Sequence, residues 1–265
     1  MRLVQVLSAV ASAALLSACI NSTTLIKVKL DGSGTVEQTT LMNMAAIKSI
    51  MPGAPGQAAN PVNEADLKRT AERMGKGVRL VSAEPAKANG FEGVKAVFAF
   101  DDINQIQVSQ DPELSGGPAG GMAPDRKDDS PVKFTLVKRG GTSILTIAFQ
   151  DKPGAGTNGK ATSNNMPDLS DPMMMNMVKA MFQGLKIDIG LEVVGAIVKT
   201  NAEYVTGSRL TLLEMDINAL LADEAKFKVL QGKLGPDISL SELKPYLKDI
   251  KGIKIDGPTI TVEFR

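Results

Sequence analysis

Histidine and tryptophan are absent from this 265-residue chain, and cysteine occurs once. Without histidine there can be no Ser-His-Asp triad, no histidine-assisted thiol and no histidine-containing zinc site. A single cysteine excludes an internal disulfide framework. Aromatic residues make up only 4% of the chain, so the stacking platforms that hold sugars or single-stranded nucleic acid are scarce. An excess of one charge is lacking too. Thirty Lys and Arg face 29 Asp and Glu, which removes any general attraction to nucleic acid. The chemistry left is that of carboxylates, lysines and hydroxyls, and neither a cofactor nor a metal is expected.

What is present begins at the N-terminus. Arg2 precedes an apolar run from Leu3 to Leu16, broken only by Gln5, Ser8 and Ser12. That run is shorter than the roughly 20 residues a spanning helix needs and has the layout of an export signal. It ends in Leu16-Ser17-Ala18-Cys19, which resembles the lipobox of bacterial lipoproteins. The resemblance implies that Cys19 carries a diacylglycerol thioether, that residues 1–18 are removed, and that the new amino group is open to acylation, with palmitate among the expected chains. Several buried acyl chains, each methylene worth about 0.8 kcal/mol, would anchor the protein stably. Ile20 stands where an aspartate in such lipoproteins often marks inner-membrane retention. Its identity points to the outer membrane facing the periplasm in a two-membrane organism, and otherwise to the outer face of the cytoplasmic membrane.

Only Ile20 to Thr23 separate the cysteine from the first strand-like run, a tether of roughly 14 Å at most. Thr24–Leu30, the turn Asp31-Gly32-Ser33-Gly34 and Thr35–Leu41 read as a hairpin. Residues 52–62 read as a loop, and Asn63 caps a helix running to about Met74. Val78–Ala83 and Gly93–Phe100 follow as strands. Val132–Lys138 and Ser143–Phe149 form a second hairpin around Arg139-Gly140-Gly141-Thr142. The stretches near 109–130 and 151–170 are glycine-rich, polar insertions.

Asp171-Pro172 opens a helix over 172–185, with Met174, Val178, Met181 and Leu185 on one stripe. Lys186–Lys199 and Ser208–Met215 read as the longest strands, and Asp216–Leu230 as a helix. A capping box at Ser239-Leu240-Ser241-Glu242 opens another helix, and Gly252–Ile255 with Thr259–Phe264 close the chain as a hairpin.

Strands arriving in hairpins with helices between them predict an α+β fold with an antiparallel sheet. Three segments are expected: a signal peptide over 1–18, a lipid-anchored domain over 19–217, and a helix-helix-hairpin extension over 218–265 packed on the same domain. A two-lobed α/β solute-binding protein is disfavoured by the same pattern.

Leu25-Ile26-Lys27-Val28-Lys29-Leu30-Asp31-Gly32-Ser33-Gly34-Thr35-Val36, directly behind the lipobox, resembles the start of LppM-like bacterial lipoproteins. A later segment, Gly195 to Ala202 followed by Gly207-Ser208-Arg209-Leu210-Thr211-Leu212, is similar in layout. The resemblance spans roughly residues 19–217. It departs in lacking a tryptophan at the end of the second segment and a C-terminal membrane helix. It implies an α+β domain at a membrane surface with a lipid or envelope role, and it carries over no catalytic residue.

Cys19 is the lipidation site by this reading. The methionine-rich run, Met173, Met174, Met175, Met177 and Met181 with Val178 and Phe182, is the other unusual feature. Flexible, polarisable methionines suit an adaptable apolar groove for a lipid or a partner. The bland alternative is a helix packed on the sheet, with methionines filling gaps in the core.

Other motifs are weaker. Ser130-Pro131-Val132-Lys133 has Ser-x-x-Lys spacing and Ser163-Asn164-Asn165 a Ser-x-Asn one, but proline and a strand follow Ser130 where a helix is needed. Asp31, Ser33 and Glu37 lack the spacing of a calcium loop. Carboxylates cluster at Asp101-Asp102 and at Asp125, Asp128 and Asp129, and paired carboxylates can do glycosidase chemistry or bind calcium. The second cluster lies beside Arg126 and Lys127 in a polar loop, where solvation explains it.

The chain therefore reads as a non-enzymatic envelope lipoprotein, attached to the membrane through Cys19, that binds an apolar ligand or lipid in a groove of sheet and helix. The alternatives are an assembly factor docking another envelope protein and, less favoured, a carboxylate-dependent hydrolase. No nucleic-acid partner is expected.

Overall fold

The computed structural model describes residues 20–43, 62–109, 131–149, 184–231 and 240–265. The insertions, the methionine-rich run, the signal segment and Cys19 lie outside them. Within the described residues the molecule is built almost entirely of β-structure. Strands take 56% of the interpretable residues and fall into two sheets, with only a few short helices, so the fold is largely β and the α+β expectation is wrong.

The large sheet is built around β1 (Ile20–Val28) and β2 (Gly34–Met42). These pair antiparallel without a break, from Ile20 opposite Met42 to Val28 opposite Gly34. Gly34 is demanded by contact: a Cβ there would lie 1.9 Å from the Lys27 carbonyl oxygen and 2.6 Å from the Phe100 ring. In the connecting turn the Asp31 carboxylate accepts hydrogen bonds from the Ser33 N–H and hydroxyl, which hold it below the usual carboxylate range.

Helix α1 (Glu64–Met74) starts as expected, with Asn63 accepting from the Ala65 N–H, and buries Leu67, Thr70, Ala71 and Met74. Strands β3 (Arg79–Ala88) and β4 (Phe91–Phe100) form a hairpin, β4 pairing in turn with β2. Pro85 sits on β3, the sheet's edge, where a missing N–H costs no ladder bond.

On its other side β1 pairs with β8 (Lys186–Val193), and this pair is parallel. The expected all-antiparallel sheet is thus corrected at its centre. Beyond β8 lie β11 (Arg209–Asp216), then β10 (Val205–Thr206) and β12 (Ile253–Ile255) along its far edge.

The small sheet runs β5 (Gln107–Ser109), β6 (Pro131–Arg139), β7 (Thr142–Phe149), β13 (Thr259–Phe264), β9 (Ile197–Thr200). The β6–β7 hairpin is the expected one. Two expectations fail here for one reason, that the chain changes sheet. Lys186–Lys199 is no single strand: it breaks at Val194-Gly195-Ala196, where Gly195 has φ 145°, and β8 and β9 belong to different sheets. Likewise β12 and β13 are not a hairpin, since β12 joins β11 while β13 lies between β7 and β9.

One buried cluster joins the sheets. It takes Ile26, Val28, Val36, Phe98 and Phe100 from the large sheet and Phe134, Leu145, Ile147, Ile260, Val262 and Phe264 from the small one. The small sheet sits at the end of the large one carrying the β1–β2 turn, where the Ser143 hydroxyl donates to the Leu30 carbonyl at 2.8 Å.

Three short helices follow β11 and its far edge: α2 (Ile217–Ala222), α3 (Glu224–Gln231) and α4 (Leu240–Leu247). The single helix expected over 216–230 is divided at Asp223, whose carboxylate accepts from the Lys226 N–H and starts a new helix. Leu230, Leu247 and Ile250 join the core there.

Candidate functional site

The end of the large sheet opposite the β1–β2 turn is where the features of interest attach. The expected tether over Ile20–Thr23 does not exist. β1 starts at Ile20, which is paired with Met42 and only 1% exposed, so strand follows Cys19 directly. In the sheet order β1 is central, with three strands on one side and β8, β11 and β10 on the other. Cys19 itself lies outside the described residues.

Met173, Met174, Met177, Val178, Met181 and Phe182 also lie outside them. The described chain resumes at Gly184 and Leu185, which are non-helical. The Gly184 N–H donates to Asn218 Oδ1 at 3.0 Å, and the Leu185 carbonyl accepts the Ile217 N–H at 3.1 Å. β8 then begins parallel to β1, with Lys186 opposite Asn21. The methionine-rich segment and Cys19 are therefore joined by the chain to adjacent strands at one end of one sheet. Met42, the Phe91–Glu92 start of β4 and the Asp216 end of β11 lie at the same end.

The inner face of β1 changes character toward this end. Val28 and Ile26 are apolar, but the next two inward positions are Thr24 and Ser22, 5% and 7% exposed. Their direct neighbours on β2 are Gln38 and Thr40, half-buried on the same face. Among the described residues none of these four side chains forms a hydrogen bond. Around them the face is neutral, with Ile187 and Ile189 on β8 and Ala96 and Val94 on β4. Among the described residues, charge on this face of the sheet's strands appears at the rim, where Lys87 and Glu92 pair at 2.8 Å. Sequence reading missed these four, because Ser and Thr alternating along a strand look like an ordinary solvent face.

The outer face carries charge in pairs. Lys27 donates a hydrogen bond to Glu37 at 2.6 Å, and that bond raises the lysine's pKa. Arg209 reaches Asp188 at 3.1 Å and Lys254 reaches Glu214 at 2.8 Å. Burial nevertheless pushes the Asp188 carboxyl above its ordinary range, outweighing Arg209.

Asp256 is the one buried carboxylate in the described core, 5% exposed. It accepts the Glu203 N–H on both oxygens, at 3.3 and 3.2 Å, and the Gly257 N–H at 2.8 Å. Burial raises its pKa despite those bonds. Its role is to clamp the 201–204 loop.

The other sequence candidates disperse. Asp101 pairs with exposed Arg79 at 2.9 Å, and Asp102 caps the short helical turn Ile103–Gln105 through the Asn104 N–H. Each is already engaged locally. Asp31 is held in its own turn while Glu37 faces Lys27, so they do not converge on a cation. Lys133 is exposed on β6. Ser130, Ser163, Asn165 and Asp125, Asp128 and Asp129 lie outside the described residues. Among the described residues no three His, Cys, Asp or Glu are grouped to hold a metal, and no helix is long and apolar enough to cross a membrane.

No protein-family model and no curated protein matches the sequence. The solved NMR structure of the folded domain of LppM from Mycobacterium tuberculosis is similar to the chain at 11% identity. That match covers 93% of this chain and 90% of that one, with a TM-score of 0.35. It is a weak likeness.

Proposed function

We propose that this chain is a non-enzymatic envelope lipoprotein, anchored through acylated Cys19, that holds an apolar ligand or lipid at the anchor end of its large sheet. The observation that carries the reading is the parallel pairing of β1 and β8, which starts at Asn21 opposite Lys186. It joins the lipobox-like cysteine and the methionine-rich segment to neighbouring strands. A lipid leaving the bilayer would meet that end of the domain first. Met173, Met174, Met177, Val178, Met181 and Phe182 are the side chains assigned to the apolar wall.

The test is native mass spectrometry of the full acylated protein, released gently from membranes. A stoichiometric lipid beyond the acyl chains on Cys19, lost when Met174 and Met181 become Glu without unfolding, supports the reading. An unoccupied protein after incubation with envelope lipids overturns it. The second reading, docking of another envelope protein, has its own observation. Val137, Val194 and Val198 are 50%, 51% and 52% exposed near the far end, away from the anchor.

A further inference from the structure

Four polar side chains sit together on the inner face of the large sheet with nothing in the described structure to bond. Thr24 lies opposite Gln38 and Ser22 opposite Thr40, so the four form a two-by-two block on adjacent strands. Directly opposed residues bring their Cβ atoms to about 5 Å. Ser22 and Thr24 are 7% and 5% exposed. Buried hydroxyls in native proteins almost always have a partner, so two unbonded ones in succession on one face of a strand call for an occupant that supplies it.

The surroundings define that occupant. Ile26, Ile187, Ile189, Val94 and Ala96 border the block, and among the described residues the nearest charges on that face of the strands are the Lys87–Glu92 pair at the rim. A charged head placed on the block would be buried without a counter-ion, which is strongly unfavourable. A neutral head bearing hydroxyl and carbonyl groups would bond to both hydroxyls and to the Gln38 amide, while its chain lies on the isoleucines. Ser22 and Thr24 stand two and four residues into β1, about 7 and 13 Å from its start beside Cys19.

We infer that Ser22, Thr24, Gln38 and Thr40 form a recognition site for the uncharged, hydroxyl-bearing head of a monoacylglycerol-like amphiphile. The inference rests on the ligand reading above and adds to it the class of head group.

The test uses the full acylated chain in phosphatidylcholine vesicles, doped with photoactivatable probes of equal chain length: a monoacylglycerol, a fatty acid and an alkane. Labelled residues are located by mass spectrometry. In the unmodified protein the monoacylglycerol labels the inner face around Ile26 and Ile189 at least about tenfold more than the fatty acid does. The double variant S22A/T24V loses that preference while alkane labelling persists, and its melting temperature is unchanged or higher. Equal labelling by monoacylglycerol and fatty acid, or a preference that survives S22A/T24V, overturns the head-group assignment and leaves the apolar-ligand reading standing. A lower melting temperature in the variant also overturns it, because the hydroxyls would then be bonded within the protein. Labelling of the inner face by no probe overturns both readings.

Discussion

The guanidinium of Arg209 lies across the backbone of Gly190 on its way to Asp188. A Cβ built on Gly190 would meet the Arg209 Nε at 3.1 Å and a terminal nitrogen at 3.2 Å, and that arginine reaches the Asp188 carboxylate at 3.1 Å. A side chain at position 190 would therefore push the arginine away from its partner.

This pair sets a pH dependence. Burial raises the Asp188 pKa in the folded state, so the folded protein holds that proton where the unfolded chain has released it. The contribution to stability is fully present below the ordinary aspartate range and is lost as pH rises through the folded value. Asp188→Asn should flatten that part of the profile, read from urea midpoints across the acidic range. A profile identical to that of the unmodified protein would show that Asp188 is not the group responsible.

Asp256 should behave as a structural clamp. Asp256→Ala leaves the Glu203 and Gly257 N–H groups without their carboxylate partner, and costs about 2 kcal/mol. Hydrogen exchange at Glu203 and Gly257 should accelerate while the β1–β2 ladder stays protected. Equal acceleration in both places would mean global rather than local loosening.

Gly93 marks a close backbone approach between β4 and β2, where a Cβ would fall 1.9 Å from the Thr40 carbonyl oxygen. No flexible side chain can give way there. Gly93→Ala is expected to destabilise by about 3 kcal/mol or more, measured by denaturant unfolding. Gly141→Ala, with open space around its Cβ, should change little and serves as the control.

Ile20 belongs to the core as well as to the anchor region. Ile20→Ala should cost about 2–5 kcal/mol, and Ile20→Asp more, since a carboxylate would be buried without a partner. A sorting experiment using aspartate at this position will therefore disturb the fold as well as the address. Comparing cell fractionation with protease resistance, and including Ile20→Val, separates the two effects.

Local chemistry was legible where it is self-contained. The Asp31–Gly34 turn, the Asn63 cap and the β6–β7 hairpin depend on residues a few positions apart, and each formed where the sequence puts it. The division into two sheets was not legible. It rests on distant pairings such as β7 with β13, and on a chain that leaves one sheet at Gly195 to enter the other. The continuity of the helix over Asp216–Leu230 was overestimated, although Asp223 carries a helix-start signal in mid-run. The candidate site divides in the same way. Cys19 and the methionines stand out by composition, whereas Ser22 and Thr24 become notable only once their face is known to be buried.

The parallel partnership at the sheet's centre has a kinetic consequence. Asn21 pairs with Lys186, 165 positions further along the chain, while β1's other neighbour, β2, arrives almost at once. A chain emerging N-terminus first would complete the hairpin early and then carry one unsatisfied strand edge through most of its synthesis. Closing so long a loop is slow, and an open edge in the interval invites pairing with other chains. Folding of this protein should therefore wait on β8, with yield governed by whatever shields β1 until that strand appears.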